Sequence, residues 1–349
     1  MPHTAPVEMR LPDGTDPALK EALGQALRSV NNNIYELDQT IRLNNFRLEE
    51  LLREIFRRLA LVERAAFGNL LHMSWYGAAH QDIGPMRDDM DVLEALGYNG
   101  GRVWATWGTD DGVDPDVDSP LNFEGQIVTG PMDKLRQFIG EANTRGWTTE
   151  VVLSHNKLGT EARHKVAIAN LATGIGDLPG WFLDMANEHD NISYPIGGLY
   201  AQARDAFPAV QLTASLSGSV DSMAGIYNAD YDDGIAWDLL TPHMPRTTGW
   251  ASETEARVGD FVAALDSASA AAGKVHLNEE NGVGGTGGTD PSAASEWTVA
   301  GEGARLGGAF GTSFFTIAGF NLKGGKSLID SLGGIEVQGY ENLATGWIG

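Results

Sequence analysis

The 349-residue chain contains no cysteine. Disulfides and thiolate metal sites are therefore excluded, and the redox compartment is left open. Lysine is scarce too, at seven residues, and Lys and Arg together number 24 against 47 Asp and Glu. A net charge of −23 at pH 7 repels nucleic acid and anionic lipid, so no nucleic-acid partner is expected. The shortage of lysine beside many Asp and Gly suits either a high-salt organism or a GC-rich genome. No run approaches the roughly 18 consecutive apolar residues that span a bilayer, so no membrane insertion is expected. The opening residues 1–17 hold no apolar stretch that could serve as a secretory signal. What remains, 42% hydrophobic and 20% charged, is the composition of a folded protein. The length allows one large domain of roughly 250 residues with an appendage.

The appendage is legible near the N-terminus. Residues 1–16 read as a flexible start, and Asp16-Pro17 offers an N-cap and first helical position. From Ala18 to Arg64 there is no further proline, and apolar residues recur at steps of four and three. One row is Leu27, Ile34, Ile41, Leu48, Ile55 and Val62; the other is Leu23, Val30, Leu37, Asn44 and Leu51, broken at Arg58. Such heptads predict a parallel coiled-coil stalk over residues 17–66, with Asn44 as a register-fixing polar residue. Ile in one row with Leu in the other leaves two or three strands open, and a homotrimer is favoured. A single long amphipathic helix packed along the following domain would show the same stripe. Phe46, Leu52, Phe56 and Leu59 widen that stripe toward its C-terminal end, and the helix is expected to stop near Gly68.

From residue 67 to 349, short apolar runs alternate with amphipathic helical stretches, the pattern of repeated βα units and a parallel sheet. The runs are residues 70–76, 101–107, 148–154, 181–187, 210–215, 235–240, 274–279 and 312–318. The helical stretches before the second and third runs each end in glycine, at Gly97 and Gly146, the usual residue just past a helix end. Eight runs predict an α/β fold of the (β/α)8 TIM-barrel type. An open doubly wound sheet is less favoured, because no G-x-G-x-x-G follows an early strand. In that barrel, sites lie at the C-terminal strand ends. Polar and aromatic residues where the runs stop are Trp75, Trp107, His155, Asn156, Asn187, Glu188, Ser215, His243, Glu279 and Asn281.

Glu188 and Glu279 are the glutamates of that set, each preceded by Asn and each ending an apolar run. Two facing carboxyls are what glycosidic-bond hydrolysis requires: one protonates the leaving oxygen, the other attacks or stabilises the oxocarbenium-like centre. A lone carboxylate at a strand end is more often a surface group or a helix cap. Glu280 adjoins Glu279, and strand alternation lets one of them face the mouth; parity from Val275 favours Glu279, with Glu280 as alternate.

Asp184-Met-Ala-Asn187-Glu188 and Val275-His-Leu-Asn-Glu279 resemble the clan of retaining glycoside hydrolases that carry Asn-Glu after strand four and Glu after strand seven. Residues 93–104 and 138–147 resemble the same clan's second strand and its helix-to-third-strand segment. The likeness implies Glu188 as acid/base and Glu279 as nucleophile, with Arg102 supporting the nucleophile and His243 beside it. It further implies Asn187 on a sugar 2-hydroxyl and Trp75 and Trp107 along sugar subsites, with His155, Asn156 and Asn281 among the substrate contacts. The segment 312–320 departs from the pattern, offering only phenylalanines where a tryptophan is common.

Asp114, Asp116 and Asp118 alternate in a loop after strand two, but the spacing is not that of an EF-hand, and a solvated acidic loop is expected. The acidic stretch at Asp230, Asp232 and Asp233 is treated likewise. The histidines, among them His72, His80, His164, His189 and His276, form no ligand spacing, so neither a metal nor another cofactor is expected. The Gly-rich segment 281–290 lacks a phosphate-loop lysine and reads as a mobile loop over the cleft. Together these features predict an endo-acting retaining glycoside hydrolase acting on a cell-surface polysaccharide. Bacterial cell-wall or capsular glycans, arabinans included, are the expected substrates, with plant glycans as the alternative. The stalk, and the lack of a signal sequence, suggest a phage tail-associated depolymerase, either virion-bound or released by lysis. The alternative is a non-catalytic carbohydrate-binding or structural tail protein on the same barrel.

Overall fold

The computed structural model describes residue 21 and residues 25–27, 29–33, 70–107, 113–154, 158–245, 249–265, 276–277 and 293–349. The chain divides into two compact units, residues 1–60 and 61–349. In the first, the described positions from 21 to 33 are helical. Leu23 and the heptad rows from Ile34 to Val62 lie outside the described residues.

In the second unit, strands and helices alternate. β1 (Leu70–Ser74), β2 (Gly100–Trp104), β3 (Thr148–Val152), β4 (Trp181–Asp184) and β5 (Gln211–Thr213) are followed by the two-residue strands β6 (Leu216–Ser217), β7 (Pro242–His243) and β8 (His276–Leu277), then β9 (Gly311–Phe314). One seven-stranded sheet has the order β5-β4-β3-β2-β1-β9-β8, and β6 pairs with β7; every pairing is parallel. Ala214 and Ser215 alone separate β5 from β6, so the two are one interrupted stave, and the staves follow one another in chain order. The helices between them include α1 (Ile83–Ala95), α2 (Thr129–Arg145), α3 (Glu161–Ile175), α4 (Gly197–Ala206), α5 (Val220–Asp232), α6 (Trp250–Ala264) and α7 (Ser295–Leu306). After β9 come the short α8 (Leu328–Ser331) and α9 (Glu336–Ile348). Gly97 and Gly146, with φ of 90° and 75°, follow α1 and α2 in the left-handed conformation that the sequence leads one to expect there.

The expected strand at 235–240 is corrected. Ile235, Trp237, Leu239 and Leu240 are buried, but the Asp238 carboxylate accepts hydrogen bonds from Arg204 and from the Leu212 amide, and the stave forms later, at Pro242–His243. A two-residue strand opening on proline carries no readable alternation, which is why the apolar run before it misleads.

Side-chain parity places the site. Register aligns Ser74 with Arg102, Arg102 with Glu150, and Val152 with Asp184. With a period of two along each strand, His72, Arg102, Trp104, Glu150 and Asp184 share the inner face. Their odd-numbered neighbours Leu71, Met73, Val103, Val151 and Leu183 face outward into the main core under the helices. The two glycines that open β2 show both sides: a Cβ on Gly100 would strike the His72 ring, and one on Gly101 would meet Phe138 of α2.

Candidate active site

At the C-terminal end of β2, β3 and β4 the buried Arg102 guanidinium organises the inner face. Its Nε donates to Glu150 Oε1 at 2.9 Å, one Nη to the Tyr76 hydroxyl at 3.0 Å, and the other to Asp184 Oδ2 at 3.1 Å and Asn187 Oδ1 at 2.6 Å. His72 Nδ1 stands 3.5 Å from Glu150 Oε2. Burial pushes the Asp184 carboxyl up; Arg102 pulls the other way, and the negative Glu150 adds to the rise. Asp184 Oδ1 also accepts from the Ser215 amide at 3.1 Å, which ties β4 to the break between β5 and β6.

β4 ends at Asp184, and the chain turns sharply through Asn187 and Glu188. The Asn187 amide donates to the Ser154 carbonyl at 2.9 Å, and the Glu188 amide donates to Ser215 Oγ at 2.9 Å. Glu188 has φ 55° and ψ 63°, and among the described residues it is the one non-glycine with positive φ. Such backbone costs roughly 1–2 kcal/mol and persists where surrounding bonds enforce it, often at functional positions. Glu188 Oε1 lies 3.1 Å from His243 Nδ1, and Oε2 accepts from Asn191 Nδ2 at 3.0 Å. The carboxylate is thus gripped from two sides while its side chain stays partly open.

Behind Glu188, His189 is buried against Tyr227 and Trp237. Burial holds its imidazole down at about 4. Asp230, which accepts from Trp237 Nε1 at 2.9 Å, is pushed up to about 6 by the same cause. Next to Arg102 stands an aromatic group of Tyr76, Trp104, Trp107, Phe315 and Phe320. Trp107 is half-buried, its ring centroid 4.7 Å from those of Trp104 and Phe320, and Tyr76 stacks on Phe320 at 4.7 Å. The guanidinium of Arg102 lies 5.6 Å from the ring centroids of both Tyr76 and Trp104.

The structure brings Arg102, Asn187, Glu188 and His243 together, and places Trp107 in the aromatic group with Tyr76, which Arg102 contacts. One expectation is corrected. Trp75 does not face the mouth: it is fully buried, its ring packs edge-on against Phe138, and its Nε1 donates to Gln81 at 2.7 Å, because odd parity on β1 turns it outward. His243 Nδ1 lies on Glu188 Oε1. His155, Asn156, Glu279, Glu280 and Asn281 lie outside the described residues.

Sequence reading missed Tyr76, Trp104, Glu150, Asp184, Asn191 and the two phenylalanines. Parity counted from Arg102 would have found Trp104, whereas Glu150 follows only from its register with Arg102, which the structure supplies. In the acidic loop, the described carboxylates of Asp114 and Asp118 accept hydrogen bonds from backbone amides of the same loop, and Lys323 pairs with Asp118. Among the described residues no group of three or more His, Asp or Glu is arranged to hold a metal, and no helix is long and apolar enough to cross a membrane.

No protein-family model matches the sequence, and no curated protein matches it by sequence. Solved structures do match. The fold is that of the glycoside hydrolase barrels. A glycoside hydrolase family 5 enzyme from Prevotella bryantii B14 superposes with a TM-score of 0.53 at 13% identity, over 82% of this chain and 97% of that one. A variant of that enzyme has been crystallised with a xyloglucan tetradecasaccharide. A GH5-4 broad specificity endoglucanase from an uncultured bacterium gives a TM-score of 0.52 at 12% identity, over 83% of this chain and 96% of that one. A candidate glycoside hydrolase from Bacteroides vulgatus ATCC 8482 gives 0.52 at 11% identity over 73% of this chain. The match spans about half of that protein, 53%.

Proposed function

We propose that the chain is a retaining glycoside hydrolase that cuts within a polysaccharide, with Glu188 as acid/base and Glu279 as nucleophile. The observation that carries this reading is Glu188 itself. It is a backbone-strained glutamate four residues past the end of β4, hydrogen-bonded by His243 and Asn191, and its neighbour Asn187 is locked to a buried arginine. The barrel likeness and the aromatic group around Trp107, which suits stacking of sugar rings, support it further.

In this reading Glu188 protonates the departing glycosidic oxygen while the Glu279 carboxylate attacks the anomeric carbon, giving a covalent glycosyl ester. Water then attacks that carbon; Glu188, now a carboxylate, takes the water's proton, and the Glu279 carboxylate leaves. Asn187, oriented by Arg102, would meet the 2-hydroxyl. Trp107 would line a subsite, and His155, Asn156 and Asn281 would supply further sugar contacts.

The test is release of oligosaccharides from a panel of bacterial capsular and cell-wall glycans, arabinan, xyloglucan, β-glucan and β-mannan. Reducing ends should appear within the chains with the anomeric configuration retained; inverted products would overturn the covalent route. A glycan that is bound but never cut would instead favour the carbohydrate-binding tail protein.

We also propose that residues 17–66 form a trimeric coiled-coil stalk and that the protein is a particle-associated depolymerase. The two heptad rows support the stalk. Light scattering on the whole chain should give three times the mass of one chain, while a chain starting at residue 66 should give a single copy. Equal monomer masses for both would remove the stalk.

A further inference from the structure

The residues after Glu188 do more than turn the chain. His189 donates its amide to the Ser215 carbonyl at 2.8 Å. Asp190 receives the Ser217 amide on Oδ1 and the Ser217 hydroxyl on Oδ2, both at 3.1 Å. Asn191 Nδ2 sits 3.0 Å from Glu188 Oε2 and 3.5 Å from Ser217 Oγ. The strained backbone of Glu188 is therefore held against the Ser215–Ser217 segment by a clamp of three consecutive residues, and the last of them bonds the carboxylate itself. A backbone conformation that costs energy needs such reinforcement, and none of these bonds is available to Glu188 from β4 alone.

We propose that Asn191 is a positioning residue for Glu188, holding Oε2 in a fixed orientation while His243 holds Oε1. The proposal deepens the glycosidase reading and rests on it for its consequence, since an acid/base must aim one oxygen at the leaving group in one half-reaction and at water in the next. The Asn191 amide suits that task because it does not titrate. It can donate to the Glu188 carboxyl in either protonation state and bonds the charged form, which must act as base, more strongly. Asp190 and Ser217 set the asparagine's place, with Ser217 donating to Asp190 and standing within reach of Asn191.

The experiment is a ¹³C NMR titration of the Glu188 carboxyl in the full chain labelled at glutamate, with the signal assigned by its absence in Glu188→Gln. Removing the donor in Asn191→Leu should raise the titration midpoint by about 0.5 pH units or more, because a hydrogen bond to the charged form is lost. Asn191→Asp, which keeps the shape and replaces the donor with a second carboxylate, should raise it further; Asn191→Gln should restore part of the shift. Should the leucine variant fail to fold, the smaller Asn191→Ala, which also removes the donor without adding charge, decides in its place. Midpoints within about 0.2 units of wild type in the variants that fold would overturn the proposal, since a role confined to turn stability would not move the titration. The titration contains no substrate, so its outcome is independent of whether any glycan is cut. A shifted midpoint in a protein that cuts no glycan keeps the contact and removes the glycosidase reading, and an unshifted one in an active protein does the reverse.

Discussion

Glu188→Gln is expected to lower kcat/KM on a natural glycan by about 10²–10⁴-fold, the contribution of a well-placed general acid/base. Glutamine is nearly isosteric and can still accept from Asn191, so the fold and the turn should survive and the loss should be chemical. The size of the loss should depend on the leaving group. A sugar alcohol departs poorly without a proton, whereas an activated phenol needs little help, so with an aryl glycoside the first step is spared and the glycosyl enzyme accumulates. A pre-steady-state burst followed by slow turnover is the signature to look for. Glu279→Gln should be worse on both substrate types, to below about 10⁻⁴ of wild type, because without a nucleophile no covalent intermediate forms at all. Activity within tenfold of wild type in Glu188→Gln would sink the assignment. If Glu279→Gln cuts and Glu280→Gln does not, the nucleophile is the neighbour.

Arg102→Met carries the largest expected cost in stability. Methionine approximates the length of the arginine stem but leaves Glu150 and Asp184 buried without their cation and Tyr76 and Asn187 without their donor. Removing one partner of a buried ion pair costs about 3–5 kcal/mol, since the remaining charge keeps its desolvation penalty. The sign of the pH dependence follows. Burial already raises the Asp184 carboxyl against the pull of Arg102, so losing that pull raises it further. A raised carboxyl favours the protonated folded state, and stability is lost as pH climbs through the folded value. The deficit should therefore be larger at pH 8 than at pH 5. Urea denaturation of wild type and variant at both values measures it. Adding Asp184→Asn to Arg102→Met should recover part of the loss, because a neutral amide no longer needs the cation. A destabilisation below about 1 kcal/mol, equal at both pH values, would mean that the guanidinium is not the electrostatic centre of the inner face.

Much of the architecture was legible because the signals are local. The helix stops at Gly97 and Gly146 follow from backbone sterics at those residues alone, and the apolar runs from 70 to 76, 101 to 107, 148 to 154 and 181 to 187 each coincide with a strand to within one residue at its start. The strands proved shorter than the runs, since apolar character continues into the loops that cover the inner face: Tyr76 and Trp107 are both beyond their strands yet inside the aromatic group. The short stave at Pro242–His243 was not legible, because two residues carry no period. Arg102, Asn187 and Glu188 could be singled out from strand ends and from resemblance, but Glu150 and Asp184 could not, since nothing local separates a buried inner-face carboxylate from one at the surface.

The sequence by itself determined the alternation of strand and helix, the excess of negative charge, the absence of thiol chemistry and the candidate glutamates, all of which depend on residue identity and short-range periodicity. Only the tertiary structure decided which side of each strand faces inward. That choice turned Trp75 into the core, paired Arg102 with Glu150 and Asp184, and set His243 and Asn191 on the two oxygens of Glu188. Parity on one strand is the same pattern whichever face is inside; it becomes a site only when parallel neighbours lock their register and close their inner faces around the same charges.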